Sequence, residues 1–524
     1  MSTRLLSLWL GCFLLGPAPI VQALDDEPDR KDSKADSHEK DKDSKSRSKE
    51  KDDDEEVEPT VTHHELEVGD ESIKYTATAG MLPLKDEEGE IEARIFYIAY
   101  TLDEVQDRSE RPLMFSFNGG PGSSSVWLHL GALGPKRVPM PEDASIPAPP
   151  YRLLPNEFTW LTETDLVFID PVGTGYSRAA KPEDNRKYYG LSPDIEAISE
   201  FIRLYLTRER RWTSPLYLVG ESYGTTRAAG LSEHLVDRGI ALNGIALVSS
   251  VLNFQTIRFG TGNDLPYILF LPTYAATAHY HDKLDNGFQE MEIRDFLDVV
   301  EEWATGDYAR ALQRGDRLSV EERAEIVEQL SAYTGLDPTF LENANLRIEI
   351  QRFCKELLRD RARTVGRLDS RFRGIDALNA GETPDFDPSM AAIRPPYTST
   401  LNQYLRDELE YESDVPYFIL GEGVQGWDFG ISSSGGYADT GNALRNAMAK
   451  NPHMKVFIAS GYYDLATPYA ATEYTLSHLG LDPELRENFQ VEEYEAGHMM
   501  YIREHDLEAL KEHVAEFIKS SKGS

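Results

Sequence analysis

The stretch from Leu216 to Gly224 constrains this chain more than any other. A short apolar run, Leu216 to Val219, enters Gly220-Glu221-Ser222-Tyr223-Gly224, and Thr225-Thr226-Arg227-Ala228-Ala229-Gly230-Leu231 then reads as a helix opening. Strand, G-x-S-x-G, helix is the context of a nucleophile elbow, a sharp turn that presents a serine oxygen at the top of a sheet. Strand and helix must pass close together there, which favours residues without Cβ. The five residues alone also suit an ordinary strand-to-helix turn, so the reading depends on a base, an acid and an oxyanion hole elsewhere.

The flanking sequence predicts an α/β fold with a largely parallel sheet. Leu113–Phe117, Leu166–Ile169 and Gly244–Ser249 are short apolar runs bounded by turn residues, as buried central strands should be. Lys455–Ser460 and Phe489–Glu495 repeat the type downstream. Helices are expected at Ser192–Leu206, Tyr469–Leu479 and Asp506–Ile518, and a hairpin at Ser72–Ala79 and Arg94–Thr101. Between about Asn253 and Gln425 the spacing turns helical, over Gln289–Thr305, Val320–Thr334 and Pro338–Arg361. This predicts residues 60–252 and 426–524 as two parts of one core, with 253–425 a mainly helical cap inserted between them.

Residues 1–23 read as a secretory signal. Arg4 precedes an apolar core from Leu5 to Leu15, and Val21-Gln22-Ala23 offers small residues at a cleavage site. That core is shorter than the roughly 20 residues a membrane span needs. Residues 24–59 are almost entirely charged or polar and are expected to be a disordered linker. With Cys12 and Cys354 the only cysteines, a disulfide framework is excluded. An exported chain without disulfides fits a soluble bacterial periplasmic or secreted protein. Cys354 lies in an amphipathic stretch and reads as a small core residue. Lys and Arg number 54 against 90 Asp and Glu, a net charge of −36, which argues against nucleic acid and anionic membranes as partners.

A serine hydroxyl needs an adjacent base, and the base needs an orienting carboxylate. His498, in Ala496-Gly497-His498-Met499, follows one predicted strand, and Asp464, in Gly461-Tyr462-Tyr463-Asp464, follows another, with Pro468 closing its loop. Both lie at strand C-terminal ends, where sites in parallel sheets are built. The order Ser222, Asp464, His498 is that of α/β-hydrolases. Asn118-Gly119-Gly120-Pro121-Gly122-Ser123 follows the strand ending at Phe117 and can point backbone N–H groups at an oxyanion, with the N–H of Tyr223 as a second donor.

These motifs, with Asp170-Pro171-Val172-Gly173-Thr174-Gly175-Tyr176-Ser177, resemble the serine carboxypeptidase family that includes carboxypeptidase Y and cathepsin A. The resemblance implies an α/β-hydrolase core with a helical cap, a triad of Ser222, Asp464 and His498, and an oxyanion hole at Gly120 and Tyr223. It further implies that Asn118 and Glu221 bind the terminal carboxylate of a peptide and that Met499 lines the leaving-residue pocket. No cofactor or metal is implied, and the expected partners are peptides with a free C-terminus. Two carboxylates about 4 Å apart repel by roughly 4 kcal/mol at an effective dielectric of 20. Glu221 can therefore meet a carboxylate only as the neutral acid.

The chain departs from the family at Ser123, where eukaryotic members carry a disulfide cysteine, and at Ser116, in place of a tryptophan. Ala132 stands where an acid pairs with the Glu221 equivalent, which implies a weaker rise in the Glu221 pKa; Tyr462 replaces a further acid. Trp127 and Trp427 are candidates for lining the pocket. An esterase or acyltransferase on the same scaffold is the alternative reading, and a non-catalytic peptide-binding protein the second.

Overall fold

The computed structural model describes residues 58–285, 287–430 and 436–522. The signal read at 1–23 lies outside the described residues, as does the linker read at 24–59 apart from Glu58 and Pro59.

The sheet is built from β1 (Thr60–Val68), β2 (Glu71–Lys85), β3 (Ile91–Leu102), β4 (Leu113–Phe117), β5 (Asp165–Ile169), β6 (Leu216–Glu221), β7 (Gly244–Val248), β8 (Lys455–Gly461) and β9 (Phe489–Tyr494). They lie in the order β1-β2-β3-β5-β4-β6-β7-β8-β9, and the two-residue strand Arg178–Ala179 pairs with β3. The first three strands and the β3–β5 pair are antiparallel, and every pair from β5 to β9 is parallel. Strands β4, β5, β6 and β7 are buried at every position, which is why their sequences are mostly apolar rather than alternating.

The chain runs from β4 to β5 on one side and returns to β6 on the other. This reversal opens a crevice at the C-terminal ends of β4 and β6, where open α/β sheets place their ligands. Helices α1 (Leu191–Arg208) and α2 (Tyr223–Asp237) pack on one face of the sheet. Between β7 and β8 come α3 (Leu265–Tyr280), α4 (Ile293–Trp303), α5 (Val320–Thr334), α6 (Ile350–Glu356) and α7 (Pro388–Asp407). Helices α3 to α6 share an apolar cluster that also takes in Tyr462, Tyr463, Leu465 and Tyr469 from the segment after β8. Helix α7 instead joins the core on the face opposite α1 and α2, together with α8 (Glu504–Ser521). Cys354 is buried in α6, and burial pushes its thiol pKa up.

Two expectations change. Pro338–Arg361 is not one helix: Asn345 and Leu346 take positive φ of 53° and 60° between Pro338–Asn343 and α6. The carbonyls that a continuous helix would use go to side chains, Leu346 O to the Tyr308 hydroxyl at 2.6 Å and Ile348 O to the Tyr274 hydroxyl at 3.1 Å. The helix expected over Gln289–Thr305 is narrower, Ile293–Trp303, and continues through a wide turn at Ala304–Tyr308. His63 and His64 lie in β1, where the His64 ring stacks on Tyr75 at 5.2 Å.

Candidate active site

Ser222 sits between the last residue of β6 and the first of α2 with φ 59° and ψ −129°. A non-glycine residue in that region carries on the order of 1–3 kcal/mol of backbone strain, held only where the surroundings over-determine it. Here the Ser222 N–H donates to Val248 O at 3.0 Å, and its carbonyl accepts from Thr225 N at 2.8 Å. A Cβ on Gly220 would stand 2.2 Å from the Gly224 carbonyl oxygen, so the strand can meet its own helix only without one.

The Asn118-Gly119-Gly120 turn at the end of β4 lies directly against this elbow. A Cβ on Gly119 would fall 2.4 Å from Tyr223 N and 2.7 Å from Glu221 O. Among the described residues, neither Gly120 N nor Tyr223 N finds a protein acceptor. Tyr223 N is also the first N–H of α2, so the helix dipole adds to its pull on an anion.

Asp464 and His498 come together from the loops after β8 and β9. His498 Nδ1 is 2.7 Å from Asp464 Oδ2. Asp464 Oδ1 accepts from Ala466 N at 2.7 Å and Thr467 N at 3.1 Å, while Thr467 Oγ1 lies 2.7 Å from Asp464 Oδ2 and 3.3 Å from His498 Nδ1. Ser249 Oγ donates to the His498 carbonyl at 2.6 Å. Burial by itself would lower the His498 pKa, but the charge and hydrogen bond of Asp464 outweigh it and hold the imidazole above its usual value.

Glu221 is buried, and burial pushes its carboxyl up to about 7, against the opposing effects of His498, Tyr501 and Asn118. Asn118 Nδ2 donates to Glu221 Oε1 at 2.8 Å, and the Tyr501 hydroxyl donates to Oε2. Burial supplies most of the rise, against the hydrogen bonds from Asn118 and Tyr501.

One cavity of about 150 Å³ is lined by Gly120, Glu221, Ser222, His498 and Met499, and by Trp127 across from them. Trp427 stands apart from that lining and packs edge-on against Tyr223 at 5.3 Å. At Ser123 a hydrogen-bonded bridge to Leu420 joins the glycine turn to the segment after α7: Ser124 N donates to Ile419 O at 3.0 Å, and Ser123 Oγ accepts from Trp127 Nε1 at 2.8 Å.

Four supporting residues were not singled out by sequence reasoning: Tyr501, Thr467, Arg227 and Arg367. Arg227 pairs with Asp194 at 2.8 Å and donates from Nη1 to Asn118 O at 2.8 Å. The spacing Asp464-x-x-Thr467 is a side-chain-to-backbone turn signature that could have marked Thr467. The other three had no local signal.

Residues 69–292 match the family model described as serine carboxypeptidase. Serine carboxypeptidase-like 5 of Arabidopsis thaliana is 28% identical over 155 residues, covering 29% of this chain and 33% of its own length. The pheromone-processing carboxypeptidase KEX1 of Saccharomyces cerevisiae is 32% identical over 168 residues, 30% of this chain and 22% of its own. The chain thus spans a third or less of the length of these curated relatives. Among solved structures, the yeast prohormone-processing carboxypeptidase Kex1 superposes with a TM-score of 0.50 at 16% identity, over 84% of this chain and 91% of that one, a likeness of fold. Residues 69–292 thus match the serine carboxypeptidase family, and the fold as a whole is that of an α/β-hydrolase, like the yeast carboxypeptidase structure.

Proposed function

We propose that this protein removes C-terminal residues from peptides through an acyl-enzyme. Ser222 Oγ attacks the last peptide carbonyl as His498 Nε2 takes its proton, and Asp464 steadies the imidazolium. The N–H groups of Gly120 and Tyr223 receive the oxyanion. When the C–N bond breaks, His498 returns the proton to the departing amine. Water, deprotonated by His498, then attacks the ester, and Ser222 leaves reprotonated. Met499 borders the space for the leaving residue.

The observation that carries an exopeptidase reading over a generic hydrolase is Glu221. A carboxyl held near neutrality beside Ser222, with Asn118 on one oxygen, can donate a hydrogen bond to a terminal carboxylate where an ionised one would repel it. Export rests on residues 1–23, and N-terminal sequencing of the secreted or periplasmic protein tests it.

The function is tested by hydrolysis of a blocked dipeptide free acid against its amide from pH 5 to pH 9. We expect strong preference for the free acid below about pH 7, fading above it. Glu221→Gln should keep turnover and flatten that fade. Equal rates on acid and amide at every pH would point to the esterase or acyltransferase reading. Failure of Ser222 to react with a fluorophosphonate would point to a binding protein.

A further inference from the structure

Arg367 lines the same cavity as Ser222 and His498. Its backbone fixes it there: Arg367 N donates to Asp387 Oδ1 at 3.1 Å and Arg367 O accepts from Leu465 N at 3.0 Å, while the next residue, Leu368, accepts from His498 N at 2.7 Å. The segment is therefore stitched between the loops of Asp464 and His498. Its guanidinium, however, has no carboxylate or carbonyl partner among the described residues.

Several arginines packed into the fold are paired with carboxylates. Arg111 and Arg211 share Asp165, Arg227 holds Asp194, Arg371 holds Asp369 and Arg347 holds Asp264. With 90 acidic residues against 54 basic ones, carboxylates are abundant, yet none is spent on the guanidinium at the cavity. Three carboxylates of the surrounding loops are engaged elsewhere: Asp464 with His498, Glu221 with Asn118 and Tyr501, and Asp387 with the N–H groups of Arg367 and Ser389.

A second guanidinium stands near it. Arg258 lies 5.5 Å from the ring centres of both Phe254 and Phe429, and Phe429 is 6.3 Å from Tyr223. Burial is the main cause that lowers the Arg258 pKa, and the charge of Arg367 adds to it; at His498, where the net shift is upward, Arg367 is a minor opposing charge after burial, Asp464 and Glu221. Arg258 thus adjoins the Tyr223 side of the elbow and Arg367 the cavity wall beside Ser222 and His498, while Asn118 and Tyr501 hold Glu221. On the functional reading above, on which this inference rests, the Glu221 side takes the terminal carboxylate and the Tyr223 side takes the residue whose carbonyl is attacked.

We propose that Arg367, supported by Arg258, is an acyl-side specificity determinant that receives the carboxylate of an aspartate or glutamate next to the scissile bond. A half-buried guanidinium in the cavity wall with no protein partner among the described residues is open to a substrate carboxylate, which would pair with it in a charge-assisted, two-pronged contact. It also supplies local attraction in a molecule whose net charge of −36 repels acidic peptides at long range.

The test uses benzyloxycarbonyl diphenyl phosphonates with a glutamate or a glutamine side chain. Ser222 Oγ displaces phenolate from phosphorus, so inactivation reads the acyl side with no leaving amino acid. At 0.15 M salt the Glu probe should inactivate the wild type about five- to tenfold faster than the Gln probe, as one partly desolvated ion pair allows. Arg367→Gln should bring that ratio near unity, Arg258→Gln should reduce it, and Arg367→Lys should restore part of it. Inactivation of Arg367→Gln by either probe certifies its fold; if that variant does not fold, the ratios in Arg258→Gln and Arg367→Lys decide. A wild-type ratio near unity, or one that survives in the Arg258→Gln/Arg367→Gln double variant, overturns the proposal. A parallel arm compares blocked Gln-Phe as free acid and amide. If Arg367→Gln impairs only the free acid, the guanidinium holds the terminal carboxylate and the acyl-side assignment is overturned. If dipeptides are not cleaved while the phosphonate preference holds, the exopeptidase reading fails and this one stands.

Discussion

Tyr501 and Glu221 are 280 residues apart in sequence, yet the Tyr501 hydroxyl donates to the buried Glu221 carboxyl. The Tyr501 hydrogen bond pulls the Glu221 pKa down while burial pushes it up. Tyr501→Phe removes the donor, so Glu221 should hold its proton to higher pH. The prediction is that the alkaline fall in kcat/KM for free-acid peptides moves upward from about pH 7 in Tyr501→Phe, while the amide profile stays in place. A fall that moves downward would show that Glu221 is not the group controlling it.

Stability should decline with pH over the same range. Glu221 and Asp170 are each pushed by burial up to about 7, against the hydrogen bonds that Asp170 accepts from Ser125 N at 2.9 Å and the Tyr417 hydroxyl at 2.7 Å and the charge of Arg178. Both bind a proton more tightly folded than unfolded. Their contribution is therefore fully present below the ordinary carboxylate range, about pH 4, and is lost as pH rises through about 7. His498, also held above its usual value, acts with the same sign. Thermal melts from pH 4 to pH 8 should show a falling Tm, with a shallower slope in Glu221→Gln. A Tm that rises across this interval would contradict the assignment of both carboxyls.

Legibility in the sequence followed burial. Strands β4 to β7 are enclosed on both faces, so their apolar runs and turn residues mark them to within a residue or so. Strand β1 is an edge strand that buries only Thr62 and Leu66, and its Thr, His and Glu residues carry little strand signal. Ser222, Asp464 and His498 were readable because each sits in a turn whose local residue types are forced. Arg367 lines the cavity and Tyr501 bonds Glu221 in its wall, each placed by contacts to residues distant in sequence, and no local pattern encodes such a contact. The division of Pro338–Arg361 into two helices was hidden for the same reason, since distant tyrosines take the carbonyls.

Asp464 and Thr467 should separate by magnitude. Asp464→Asn removes the acceptor that fixes the His498 tautomer and should lower kcat by about four orders of magnitude, as in serine hydrolases generally. Thr467→Val leaves the His498–Asp464 contact of 2.7 Å and deletes one neighbouring hydroxyl. That is worth about 1 kcal/mol, or roughly fivefold in rate. Steady-state kinetics on one ester substrate checks both. Equal losses would mean that Thr467, and not Asp464 alone, positions the imidazole.

Arg227 ties the glycine turn to the elbow. Its guanidinium is buried, pairs with the equally buried Asp194, donates to Asn118 O and packs over the rings of Phe117 and Tyr223 at 5.1 and 5.3 Å. Arg227→Met leaves Asp194 buried without a counter-charge, a loss of about 3–5 kcal/mol. Burial already draws the Asp194 pKa upward, and without Arg227 it rises further, so the variant should be least destabilised at low pH where Asp194 is neutral. Asp194→Asn with Arg227→Met removes the stranded charge and should recover much of the Tm. It does not replace the donor to Asn118 O, so the Asn118 side chain loses its fixed approach to Glu221 and the preference for free-acid over amide substrates should stay reduced. Recovery of both Tm and that preference in the double variant would show that Arg227 serves only its ion pair.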